Sequence, residues 1–356
     1  MKNTFVIVFT MAIFLHLLKL KASGDISNMP ESEIGKKTRS GRETRQIQKA
    51  AVEAWGESLN PAEDYNSTKW ITKKRSQPQY VFDYYVKRLS DLFLAKGAMV
   101  NFALVGACDG TNDVTIRERY LPNEHWRGLF VEPILLNVED LRKYLTESKV
   151  MHRSHIIQAA ATNECNRSTI TVKTPSRDYM TDSKIPHWMR RQIGGIVAIR
   201  PDGKPRLPNG WRTEEVPCMR GSEILQKWAV EVNRHTMDKG KTNVTTDNSS
   251  NRVVKGRKKG LKGSAKRRPH VLKIDAEGFD YQVLSSFLQK FDTTNAELPL
   301  LVNYEAKSMN ENYPKAVAEL QNRGYIVSNY GNDGFALLQA QYMFRNKSNK
   351  KKSKAE

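Results

Sequence analysis

Residues 102–110 read FALVGACDG, a short apolar run that ends in a turn of small residues. A run such as Phe102–Ala107, bounded in this way, predicts a fully buried strand. Small residues at a strand's carboxyl end let a ligand approach the backbone closely. In open α/β sheets, ligands bind beyond those ends. Gly106 and Gly110 are four apart, which is not the GxGxxG spacing of a pyrophosphate fingerprint and argues against NAD and FAD.

Working outward, Gly128–Pro133 (GLFVEP) predicts a second strand, with a helix over 135–147 behind it. Ile156–Thr162 predicts a third. Val271–Ile274 predicts a fourth, followed by a helix over Asp280–Phe287. Leu298–Glu305 predicts a fifth, followed by a helix over 312–323. Tyr325–Tyr330 and Phe335–Phe344 are joined by Gly331-Asn332-Asp333-Gly334, a hairpin connection. Upstream, Val81, Tyr85, Leu89 and Leu92 recur at helical spacing and predict an amphipathic helix over 80–95, stopped by Gly97. Strand–helix alternation ending in a hairpin predicts an α/β fold. Its sheet should be mostly parallel, with helices on both faces and an antiparallel strand near the C-terminus. Between the third and fourth strands there is room for a β-rich insertion around 165–220, a helix over 221–233 and a basic loop.

The chain has 356 residues, enough for one large domain or two ordinary ones and for a core without disulfide staples. Charged residues are 27% and hydrophobic residues 39%, which excludes a multi-span membrane protein and a wholly disordered chain. Three Cys exclude a disulfide scaffold; in an oxidising lumen Cys165 and Cys218 can pair, leaving Cys108 free. The net charge is +20, but its location matters more than its size. Residues 1–79 hold 13 basic and 8 acidic residues, 234–269 hold 12 and 2, and 345–356 hold 6 and 1, while the rest of the chain carries 27 of each. The segment 241–268 is rich in Gly, Ser, Asn and Lys and has no aromatic residue, so it predicts a disordered, solvated insertion within 234–269. A folded nucleic-acid module would leave the core positive. The neutral core therefore argues against a specific nucleic-acid partner, and the basic insertion remains free to touch a polyanion.

At the N-terminus, Lys2 precedes an apolar run from Phe5 to Leu18, 14 residues long. A bilayer span needs about 20. With Ala22, Ser23 and Gly24 following, residues 1–24 read as a secretory signal peptide. The alternative is an uncleaved single-pass signal-anchor, because Lys19 and Lys21 follow the run. Sequons at Asn66, Asn166, Asn243, Asn248 and Asn346 agree with entry into the secretory pathway, ending in secretion or an ER/Golgi lumen. Residues 25–79 lack sustained apolar periodicity and read as a flexible linker, and 346–356 as a basic tail.

Glu132 ends the second strand, 22 residues after Gly110. An acid there can accept hydrogen bonds from both ribose hydroxyls of an adenosine. Lys273-Ile274-Asp275-Ala276-Glu277-Gly278-Phe279-Asp280 places three carboxylates where the fourth strand meets its helix. Acids are favoured at a helix N-terminus in any case. At the carboxyl edge of the sheet they would also suit a sulfonium, or a substrate hydroxyl that must lose its proton. His187 and Trp188 fall in the insertion and read more readily as core or surface residues than as a pocket, and Arg190 and Arg191 as solvated charges. No HExxH, CxxC, GxSxG or Walker-type motif is present, so no metal site is expected.

VGACDG, FVEP after Trp126-Arg127-Gly128, KIDAEGFDYQVL, NYEAKSMN and a late GYIV strand occur in this order over about 100–340. This series resembles the FkbM-type methyltransferases, with KIDAEGFD its most specific piece. The resemblance implies a Rossmann-like seven-stranded sheet, a methyltransferase domain over 80–345, and S-adenosylmethionine as the cofactor. It implies that Gly106, Ala107, Asp109 and Gly110 cradle the amino-acid end of that cofactor, that Glu132 holds its ribose, and that Ala159 and Ala160 lie near its adenine. Asp275 and Glu277 would stand beside the transferring methyl as catalytic residues, Asp275 first, and Glu305 matches the late strand-end acid. The expected activity is O-methylation of a glycan or small-molecule hydroxyl. The competing expectation is a non-catalytic secreted binding protein that keeps the fold and acts through its basic segments; Leu104 and Val105, where the wider class often carries an acid before the first glycine, favour it.

Overall fold

A computed structural model describes residues 41–59, 79–176, 210–238, 268–289, 298–330 and 332–339, with isolated positions between 178 and 196. The chain divides into Met1–Glu43, of which only the opening turn of one helix is described, and Thr44–Glu356, which carries everything below. The signal segment 1–24, residues 239–267 of the basic insertion, the tail 346–356, and His187, Trp188, Arg190 and Arg191 lie outside the described residues. Among the described residues, no helix is long and apolar enough to cross a membrane.

In chain order the elements are α1 (Gly41–Ser58), α2 (Gln79–Ala95), β1 (Val100–Val105), β2 (Trp126–Glu132), α3 (Leu135–Glu147), β3 (Ser154–Gln158), β4 (Ala160–Ala161), β5 (Thr169–Pro175) and β6 (Gly195–Ile196). They continue with β7 (Trp211–Met219), α4 (Gly221–Asp238), β8 (Val271–Ile274), α5 (Asp280–Gln289), β9 (Leu301–Glu305), α6 (Tyr313–Asn322), β10 (Tyr325–Tyr330) and β11 (Asp333–Leu338). Seven strands form the main sheet, in the order β10-β11-β9-β8-β1-β2-β3. All pairs in it are parallel except those of β11, which is antiparallel to both β9 and β10. Every residue of β1 is buried, as a central strand covered on both faces must be. Helices surround the sheet, and the architecture is that of a Rossmann-like α/β protein.

Register decides which side chains share an edge. Val105 pairs with both Val131 and Ile274, Lys273 with Asn303, and Glu305 with Asp333. Gly106, Glu132, Asp275 and Glu305 therefore fall together at the carboxyl edge of the parallel strands. Asp333 joins them because β11 runs the other way. The hairpin is tighter than its sequence implies: Tyr330 pairs with Asp333, so Asp333 and Gly334 already belong to β11.

Three sequence expectations need correction. The third strand is not continuous over 156–162. It leaves the main sheet at Ala159, and Ala160–Ala161 becomes β4 of a second sheet, ordered β4-β7-β5-β6, by pairing with Cys218 and Met219. The Cys165–Cys218 disulfide ties this sheet to the segment after β4. The basic insertion does not begin at 234, because α4 runs to Asp238. Nor is 25–79 a linker throughout. Residues 41–58 form α1, and Ala51, Val52, Trp55 and Leu59 are buried in the main core. Their i, i+4 spacing gives a narrow apolar stripe. Within the helix Ala51, Val52 and Trp55 supply it among mostly polar neighbours, so the average hydrophobicity is low.

The helix is also held by Gln48, whose amide pairs reciprocally with the backbone of Met99 just before β1: Nε2 donates to the carbonyl at 2.7 Å and Oε1 accepts from the amide at 3.3 Å. Gln48→Ala leaves both Met99 groups without partners and is expected to lower unfolding stability by about 1–3 kcal/mol in urea titration. No change would mean that α1 is not part of the cooperative unit.

Candidate active site

The loop after β1 is fixed from two sides. Gly106 sits at φ +80°, and a Cβ there would lie 1.8 Å from the Asp275 carbonyl oxygen. The ends of β1 and β8 approach so closely that only glycine fits. The Gly106 amide donates to the Val131 carbonyl at 2.9 Å, and the Asp275 amide to the Val105 carbonyl at 2.9 Å. Cys108, at φ +49°, is a non-glycine residue in the left-handed region. Such a conformation persists where its surroundings hold it. Here its amide donates to Glu132 Oε2 at 2.9 Å. Asp109 is buried, and its Oδ1 closes the turn by accepting from the Thr111 amide at 3.0 Å and the Thr111 hydroxyl at 2.8 Å.

Glu132 is 4% exposed. Its Oε1 accepts from the Ile134 amide at 3.0 Å, at the N-terminus of α3, and from Asn137 Nδ2 at 3.2 Å. Burial pushes its carboxyl up, the three donors oppose that, and nearby Asp109 adds to the rise. A carboxylate has about four lone-pair positions. With three taken, one is left, on Oε2.

Acids crowd the β8 end. Asp275 is pushed up to about 6, chiefly by burial; Lys273 pulls it down, and Asp113, Glu305 and Asp333 push it further up. Glu277, itself at φ +48°, is raised to about 7 by burial and then by Asp275, Glu305 and Asp280. Asp280 is fully buried and likewise raised to about 7, first by burial. It binds the start of the helical turn after β9, accepting from the Glu305 amide at 3.0 Å and the Ser308 hydroxyl at 3.3 Å. Both bonds are structural, tying the start of α5 to the end of β9. Lys273 pairs with Asp113 at 2.6 Å. Burial works against the Lys273 charge, yet the Asp113 charge and hydrogen bond, with Asp275 and Asp333, raise it above the ordinary lysine range. Glu305 Oε2 is buried with no hydrogen-bond partner in the protein. Among the described residues, no three His, Cys, Asp or Glu side chains converge as a metal site.

These shifts fix the sign of a pH effect. Asp275, Glu277 and Asp280 bind protons more tightly folded than unfolded, so between about pH 4 and about 7 the folded state holds more protons. Stability is greatest below that window and falls as pH rises through it. The melting temperature at pH 5 is expected to exceed that at pH 8 by several degrees. An Asp275→Asn/Glu277→Gln variant should show a smaller difference; an unchanged slope would place the pH dependence elsewhere.

Two clefts open at this edge. One has a cavity volume of about 110 Å³ and is mainly apolar, lined by Pro133, Ala159, Ala160, Ala161, Phe279 and Val283, with Glu132, Asn137 and Thr162 among its polar groups and Val172 of the second sheet on its wall. The other has a cavity volume of about 380 Å³ and is polar, with Ala107, Asp109, Gly110, Asp113, Lys273, Asn303, Glu305 and Asp333 on its walls. They share Gly106, Cys108, Asp275 and Glu277. The structure thus brings these candidates to one edge: Gly106, Glu132, Ala159 and Ala160 on the first cleft, Gly106, Ala107, Asp109, Gly110 and Glu305 on the second, and Asp275 and Glu277 on both.

Sequence reasoning missed the Lys273–Asp113 pair, whose members are 160 residues apart. It also missed Asn137. A polar, helix-indifferent residue in the first turn of α3, on its buried side, was the available signal.

No family model matches the chain, and no curated protein sequence matches it. Two similar solved structures are of methyltransferases. One is a precorrin-6y C5,15-methyltransferase from Geobacter metallireducens GS-15, 12% identical over 74% of this chain and 89% of that one, with a TM-score of 0.29. The other is methyltransferase FkbM from Methylobacillus flagellatus KT, 10% identical over 80% of this chain and 60% of that one, with a TM-score of 0.34.

Proposed function

We propose that this protein is an S-adenosylmethionine-dependent methyltransferase that modifies a hydroxyl of a glycan or small molecule in the secretory pathway. The observation that carries the reading is the meeting of an apolar cleft and an acid-rich cleft at one wall, built from Gly106, Asp275 and Glu277. The residues present fit the cofactor. Gly106 lets the ends of β1 and β8 close on each other and stands on both clefts, and the apolar cleft offers a buried acceptor on Asn137 beside Glu132. Glu132 and Asn137 would hold the ribose end, Ala159 and Ala160 the adenine, and Gly106 to Gly110 the amino-acid end. When bound, S-adenosylmethionine supplies an electrophilic methyl group on a sulfonium.

The chain's own part is alignment and proton removal. Fixing the reacting groups and excluding water is typically the larger contribution. Asp275 takes the proton from the acceptor hydroxyl, with Glu277 beside it; general-base help of this kind is worth about 10²–10⁴-fold. The polar cleft sets six carboxylates against one ammonium, which favours a neutral hydroxyl over an acidic acceptor. The Cys165–Cys218 disulfide, the exposed sequon at Asn166 and the apolar N-terminal run support the secretory setting. The test is calorimetry of the full chain with S-adenosylmethionine. Micromolar binding is expected; a flat titration overturns the reading and leaves a non-catalytic scaffold.

A further inference from the structure

Asn137 is 4% exposed, on the buried side of the first turn of α3. Its orientation is fixed by chemistry. The amide atom facing the Glu132 carboxylate must be the donor, so Nδ2 occupies that contact at 3.2 Å. Oδ1 is then turned away from Glu132, buried, and without a hydrogen-bond partner in the protein. A buried carbonyl acceptor left unmatched costs about 1–3 kcal/mol, and folded proteins rarely carry one without a ligand or another reason. Asn137 lines the apolar cleft, where Glu132 is its polar neighbour.

Glu132 cannot serve both hydroxyls of a vicinal diol with a full bond each. Ile134, Asn137 and Cys108 occupy three of its acceptor positions, leaving one on Oε2. From this shortage and the orphaned oxygen beside it, we infer that the ribose diol is divided: Glu132 Oε2 accepts from one hydroxyl and Asn137 Oδ1 from the other. This rests on the donor reading above and deepens it, making Asn137 a specificity-determining contact for a ribonucleoside over a deoxyribonucleoside. The adjacent hydroxyls of one sugar meet two acceptors that are themselves hydrogen-bonded into a single unit.

The test is calorimetry of the full chain with S-adenosylhomocysteine and its 2′-deoxy and 3′-deoxy analogues. Each analogue is expected to bind the wild-type protein about tenfold more weakly than the parent compound. Asn137→Ala should bind the parent about tenfold more weakly. It should discriminate no further against the one analogue whose missing hydroxyl was Asn137's partner, while still penalising the other. If Asn137→Ala weakens all three compounds by the same factor, the residue only props Glu132 and the inference fails. Either analogue binding the wild type as tightly as the parent also overturns it, and that arm decides even if the variant does not fold. If the wild type binds none of the three, the donor reading falls and the inference with it; intact binding of the parent separates the two failures.

Discussion

Glu132→Gln is expected to weaken S-adenosylhomocysteine binding by at least 100-fold and to lower unfolding stability by about 1.5–3 kcal/mol. The substitution keeps the side chain's size and removes only its charge and one acceptor oxygen. Three donors now converge on that side chain: the amides of Ile134 and Cys108, and Asn137 Nδ2. A glutamine can turn its single oxygen towards either side. Facing α3, it satisfies Ile134 and Asn137 but sets its NH₂ against the Cys108 amide. Facing the loop, it sets the NH₂ against both of the others. Either way, a buried donor meets a donor. The first arrangement releases Cys108, which is held at φ +49°, and the loop from Gly106 to Gly110 loses its side-chain tie to β2, keeping only the backbone bonds to Val131. Binding should therefore suffer beyond the single lost contact. Calorimetry well below the melting temperature, together with urea titration, separates the two effects. Reduced stability with unchanged affinity would make Glu132 a strut for the loop and nothing more.

The position of this site at one sheet edge was legible because strands buried on both faces must be continuously apolar. Val271–Ile274 and Tyr325–Tyr330 were read with the bounds the structure shows, and α3 over 135–147 likewise. The spacing from Gly110 to Glu132 then placed an acid one strand over. Three things were hidden for different physical reasons. Helix α1 buries only a thin stripe around Trp55, which local averaging dilutes with its charged neighbours. The break at Ala159 leaves no local mark, since a strand that changes sheets keeps the same side-chain alternation. Partners such as Lys273 and Asp113 depend on β8 lying next to β1, a matter of strand order that composition along the chain does not encode. The acid cluster was legible as residues but not as roles. Only the tertiary contacts show Asp280 bound to the Glu305 amide and Ser308, while Asp275 and Glu277 stand on the shared wall of the clefts.

Asp275→Asn is expected to lower methyl transfer by about 10²–10⁴-fold while changing S-adenosylhomocysteine affinity less than threefold. Asn is nearly isosteric, and the backbone bond from the Asp275 amide to Val105 does not involve the side chain, so the wall of the clefts should keep its shape. What disappears is a proton acceptor. Its carboxyl, raised to about 6 mainly by burial, is largely ionised at pH 7.5 yet more basic than a solvent-exposed aspartate, a compromise that suits a general base. A base must be deprotonated to act, so wild-type kcat/KM should rise with pH through about 6 and level off above it. The Asn variant should lack that limb in whatever activity remains. Glu277 offers the discriminating alternative: it is raised to about 7, and if it is the base, the wild-type limb lies at that higher midpoint and survives in Asp275→Asn, moved downward by loss of the Asp275 charge. The measurement is transfer from methyl-labelled S-adenosylmethionine to an acceptor that the wild-type protein modifies, followed from pH 5 to 9 for wild type, Asp275→Asn and Glu277→Gln. Turnover by Asp275→Asn within threefold of wild type across that range would remove Asp275 from the chemistry. A parallel loss in affinity for S-adenosylhomocysteine would reassign it to holding the donor.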